Sequence, residues 1–98
     1  VINNGGGGIF SFLPIADVGI DAFTEYWTTN TYLDIKKAAD LYKCHYDLIK
    51  DIRELKISIE TSFTKGGIKI LEVKTSIADN VKSHHDFQKK VEQVLARY

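Results

Sequence analysis

From Ile35 to Tyr98 apolar residues return at spacings of three and four. One heptad row reads Ile35, Tyr42, Ile49, Lys56, Phe63, Ile70, Ile77, His84, Val91, Tyr98. Its companion reads Ala38, His45, Ile52, Ile59, Gly66, Val73, Asn80, Phe87, Val94. A double row sustained over so many heptads predicts a coiled-coil-like helical seam. Phe63, Ile70, Val73, Ile77, Phe87 and Val91 are its expected interaction residues. A third row, Leu41, Leu48 and Leu55, widens the apolar face in the first half only. The intervening charges fall into pairs such as Lys50 with Glu54 and Asp86 with Lys90, the pattern of a solvated helix surface.

Gly66-Gly67 interrupts that pattern without shifting its phase. Adjacent glycines cost a helix interior about 2 kcal/mol relative to alanine, and glycine is a common helix terminator. The leading expectation is therefore an antiparallel helical hairpin with arms of about 32–65 and 68–98. One long continuous helix is an alternative. So is an α+β arrangement with a β-hairpin over 57–73, because Ile57, Ile59, Thr61 and Phe63 alternate. Leu71 breaks that alternation.

Upstream, Leu13, Ala16, Ile20, Phe23 and Trp27 form a second stripe, with Asp17, Asp21 and Glu25 beside it. Pro14 suits a first helical turn, so a short amphipathic helix is expected over about 14–27. The run Thr28–Thr31 ends it, and Thr31 with Asp34 has capping-box form for the next helix. The expected fold is all-α: this short helix packed on the hairpin, in one helical domain over 9–98.

Residues 1–8, "VINNGGGG", read as a flexible lead-in, since ordering four glycines costs entropy with nothing to bury. No helix-borne Lys-Ser/Thr follows them, as a phosphate-binding loop requires. The opening Val1-Ile2-Asn3-Asn4 resembles the V-E-N-N sequence at the start of C-terminal modules of bacterial contact-dependent toxins. Ile2 replaces the acidic residue, and the resemblance spans four residues and implies no function.

Composition narrows the classes. The chain is 44% hydrophobic and 27% charged, as folded domains are, and its formal net charge is zero. Without a basic face, no nucleic-acid partner is expected. Its acids up to Asn30 are Asp17, Asp21 and Glu25, with no Lys or Arg among them, so the excess positive charge lies downstream. One cysteine leaves the compartment open, and the absence of Met points to a processed product or a fragment.

No catalytic, cofactor-binding or metal site is expected. Cys44-His45 would diverge by about 100° on a helix, so the pair cannot act as nucleophile and base. A folded hairpin would bring Cys44 and His45 towards His84, His85 and Asp86, but no pair of them has a good helical ligand spacing. His84, inside the seam, is the expected pH-sensitive group. The function these features indicate is non-enzymatic: a helical module for protein–protein interaction or self-association. The alternative is a membrane-active, pore-forming type of protein whose segment 9–27 enters or lies on a bilayer, with Phe10, Phe12, Phe23, Tyr26 and Trp27 as its contact patch.

Overall fold

A computed structural model describes residues 1–98, the side chains of Val18 and Ile20 excepted. Its elements, in chain order, are β1 (Ile2–Asn3), β2 (Gly6–Gly7), two 3-10 turns (Ile9–Phe12 and Pro14–Val18), α1 (Ile20–Trp27), β3 (Thr29–Asn30), α2 (Ile35–Leu41), β4 (His45–Ile49), α3 (Ile52–Thr64), β5 (Lys69–Lys74) and α4 (Ile77–Leu95). The class is α+β. Strands β1, β5 and β4 form a parallel sheet with β5 in the centre, while β2 and β3 form an antiparallel pair.

The all-α expectation fails because helical periodicity is stopped repeatedly by local chemistry. Asp34 caps α2, accepting from the Lys37 amide at 3.0 Å; Thr31, the expected capping residue, does not. That helix ends at a left-handed Lys43 (φ 54°), with Lys43 N–H donating to Asp40 O and Cys44 N–H to Ala39 O. These are the two bonds of a Schellman motif, closed here without glycine. The chain then extends as β4. Two carboxylates start α3: that of the N-cap Asp51 accepts from the Arg53 and Glu54 amides, and that of Glu54 reaches past the cap to accept from the Lys50 amide at 2.8 Å.

Gly66-Gly67 is a turn, but it joins a helix to a strand. Gly67 has φ 95°, and β5 follows at once. Lys69 Nζ reaches back to the carbonyl oxygens of Thr61 and Ser62, at 3.2 and 3.3 Å, in the last turn of α3, where Thr61 also accepts from the Lys65 amide. The helical hairpin, the continuous helix and the 57–73 β-hairpin are all overturned: Ile57–Thr64 is helix and Lys69–Lys74 is strand.

The expected seam is dispersed accordingly. Phe63 is 87% exposed on α3, Ile70 and Val73 lie on opposite faces of β5, and Ile77, Phe87 and Val91 belong to α4. The helix expected over 14–27 is broken at Gly19 (φ 136°) into a 3-10 turn and α1; the Ile20 side chain in its stripe lies outside the described residues. Within the stretch read as a lead-in, Ile2–Asn3 and Gly6–Gly7 form β1 and β2.

The core is thin. Among the described side chains only Ala39, Ile49 and Glu72 are buried. The chain measures 51 × 38 × 15 Å and exposes 8325 Å², against about 5,700 Å² for a compact chain of this mass. Helix α3 runs along Asp47–Ile49 on one side of the sheet, and the Tyr32–Lys36 segment borders Tyr46, Leu48, Glu72 and Lys74 on the other.

Candidate functional site

The central strand carries a carboxylate where a parallel sheet normally carries only apolar groups. Glu72 is 2% exposed and sits among Ile70, Leu71 and Val73. A buried carboxylate is costly unless its oxygens are occupied. Here both are: Asn3 Nδ2 of β1 donates to Oε1 at 2.6 Å, and the Tyr46 hydroxyl of β4 donates to Oε2. The hydrogen bond from Tyr46, then that from Asn3, hold the Glu72 carboxyl below the ordinary carboxylate range against the opposing effect of burial. The same bond, with burial, pushes the Tyr46 hydroxyl up to about 12. At neutral pH the pair is therefore phenol and carboxylate, and both carboxylate oxygens are engaged as acceptors. With one donor on each oxygen, this carboxylate orients its neighbours across the sheet.

Asn3 passes that order outward. Its Oδ1 accepts from the Gly5 amide at 2.9 Å, and its carbonyl accepts from the Thr75 amide at 2.9 Å. Asn4 Oδ1 accepts from the Gly6 amide at 3.1 Å, giving two successive Asx turns. The Gly5 carbonyl in turn accepts from the Thr31 amide at 3.1 Å, beside the β2–β3 pair.

The glycine turn thus stands at the carboxyl end of β1, beside the carboxyl end of β5. Open parallel sheets bind their ligands in the crevice outside these ends. One cleft, of about 560 Å³, opens there between Ile2, Asn4, Lys74 and the start of α4 at Ser76, Asp79 and Asn80. Another, of about 740 Å³, separates α4 from the N-terminal turns and α1, and is lined by Phe23, Thr24, Ile77, Val81, Lys82, His85 and Lys89 among others, with no residue of β1 or β5.

The aromatic patch expected from sequence is divided. Phe10 packs edge-on to Trp27 with ring centroids 5.3 Å apart, while Phe12 packs edge-on to His84 at 5.2 Å. Phe23 lines the larger cleft and Tyr26 is 73% exposed. His84 thus meets Phe12 of the N-terminal turns and no helical seam. Cys44 precedes β4 and His45 begins it, His84 to Asp86 lie within α4, and no group of three metal-ligating side chains forms among the described residues. Sequence reasoning missed Asn3, Tyr46 and Glu72. The available signal was the lone Glu within "KILEVK", since a charge inside a β-branched run marks a buried, paired carboxylate.

No family model matches this chain. It is 37% identical over 95 residues, 97% of its length, to the 2-succinyl-5-enolpyruvyl-6-hydroxy-3-cyclohexene-1-carboxylate synthase of Listeria monocytogenes serotype 4b. It is 34% identical over 97 residues to the synthase of that name from Geobacillus kaustophilus, and 37% identical over 97 residues to that from Chloroflexus aurantiacus, each match covering 99% of the chain. The chain spans 16 to 17% of the length of these curated relatives. These likenesses overturn the expectation of a non-enzymatic coiled-coil or oligomerisation module, because the relatives are named as enzymes. The membrane-active alternative falls with it, and no helix among the described residues is long and apolar enough to cross a membrane. What the chain resembles, along almost its whole length, is one stretch of a much longer synthase.

Proposed function

We propose that this chain is part of an enzyme that forms 2-succinyl-5-enolpyruvyl-6-hydroxy-3-cyclohexene-1-carboxylate, and that it contributes the glycine turn at the carboxyl edge of the sheet to the wall of the active site. The observation that carries the reading is the continuous likeness to synthases of that name, 34% to 37% over 95 to 97 residues in three genera. The architecture supports it: a parallel sheet whose strand ends, glycine turn and α4 N-terminus meet at an open cleft is the usual setting for a ligand site in α/β enzymes. The rest of the site then comes from sequence beyond these 98 residues.

A segment exchange tests this. The matching 95 residues of the Listeria monocytogenes synthase are replaced by this chain, and product is measured by mass spectrometry. Product formation at a rate within about two orders of magnitude of the parent is expected, the range over which small misplacements act. A chimera that melts like the parent and forms no product would overturn the proposal.

A further inference from the structure

Asn3, Glu72 and Tyr46 belong to three different strands, yet they form one line of hydrogen bonds across the sheet. The line ends on the Gly5 amide, inside the glycine turn. Resting on the reading just given, we propose that Glu72 is a positioning residue for the synthase site: it fixes the side-chain amide of Asn3, and through Asn3 Oδ1 it sets the backbone of the Asn3–Gly8 turn.

The geometry supports this on three counts. First, Glu72 is the most enclosed polar side chain on the sheet, and both its oxygens are used. Second, an Asn amide has two chemically distinct ends. A carboxylate can only accept, so it forces Nδ2 inward and leaves Oδ1 facing the Gly5 N–H. A neutral partner able to donate as well as accept would leave that choice open. Third, Gly5 has φ 83°, a left-handed conformation, and it accepts from Thr31 while donating to Asn3, so its orientation also decides where β2 meets β3. Tyr46 supplies the second donor that makes an enclosed carboxylate tolerable at this place.

The test reverses the polarity of the line. Asn3→Asp sets two carboxylates against each other over the 2.6 Å contact. Adding Glu72→Gln to it restores the contact with donor and acceptor exchanged, while Gly5 still donates to the side chain at position 3. In the full chain, amide exchange of Gly5 is expected to accelerate about tenfold or more in Asn3→Asp, as for loss of one hydrogen bond. It should return to within about threefold of the starting rate in the double variant. In the exchanged synthase, kcat should follow the same order, with KM changing less than kcat. A double variant no better protected at Gly5 than Asn3→Asp would overturn the proposal, and so would a kcat indifferent to both changes. Should Asn3→Asp not fold, Glu72→Gln alone decides through the same Gly5 exchange, and an unchanged rate rejects the positioning role. An unaltered exchanged synthase without activity counts against the synthase reading, and the exchange measurements then decide the role of Glu72 in the turn by themselves.

Discussion

Gly6 and Thr29 approach so closely between β2 and β3 that a β-carbon on Gly6 would lie 1.9 Å from the Thr29 carbonyl oxygen. Gly6 also has φ 154°, so both space and backbone demand glycine there. Gly6→Ala is expected to destabilise the chain by about 3 kcal/mol or more through clash and strain. Gly66, by contrast, has open space around it and no left-handed φ. Gly66→Ala should be neutral or stabilise by up to about 1 kcal/mol. Urea midpoints of the two variants check the contrast, and equal effects would contradict the β2–β3 pairing.

The start of α3 depends on Asp51. Its carboxylate accepts from two backbone amides, at 2.7 Å from Arg53 and 2.9 Å from Glu54. Asp51→Ala should cost about 1 kcal/mol, the usual value of an N-cap. Circular dichroism through a thermal melt measures it, and a variant as stable as the original would refute the cap.

Acid and base should act on opposite ends of one hydrogen bond. The Glu72 carboxyl is held below its ordinary value of 4.5, by the Tyr46 hydroxyl first and then by Asn3, so its contribution to stability is complete above that value. It is lost as the pH falls through the lowered value of the folded state. The Tyr46 hydroxyl is raised from 10.0 to about 12, so its contribution is complete below pH 10 and is lost as the pH rises towards 12. Denaturant midpoints against pH should be flat between these limbs as far as this pair contributes. Glu72→Gln should shrink the acid limb, and an acid limb of unchanged size would show that other groups produce it.

Exposure ranks two apolar truncations in an order the heptad pattern does not suggest. Ile49 is 7% exposed and Phe63 is 87% exposed. Ile49→Ala should cost about 2 kcal/mol or more, while Phe63→Ala should stay within about 0.5 kcal/mol of the original. A seam would give both large effects, and parity between the two would restore it.

Helical propensity was legible where it was local. Residues 52–64 and 77–95 lie within the arms expected from sequence, and Gly66-Gly67 does turn the chain. The caps were less so: α2 is capped by Asp34 where Thr31 was expected, and Asp51 with Glu54, though of capping-box form, lies under a heptad row that runs straight through it. Lys43 gave no warning, because a left-handed helix end without glycine looks like ordinary sequence. Strand β5 is hidden from a reading by alternation, because Leu71 spoils the pattern. A central parallel strand is covered on both faces and has no need to alternate. The site was the least legible part. Asn3 meets Glu72 across 69 positions, and no periodicity reports a pairing so distant.

A slab 15 Å deep has room for few enclosed side chains, and that fixes how this chain responds to heat. The heat-capacity step on unfolding follows the apolar area newly wetted, and much of that area is already wet here. Calorimetry of the isolated chain should therefore give a step below the usual ~12–15 cal/mol/K per residue. The transition should be broad, and its stability curve should bend little from cold to warm.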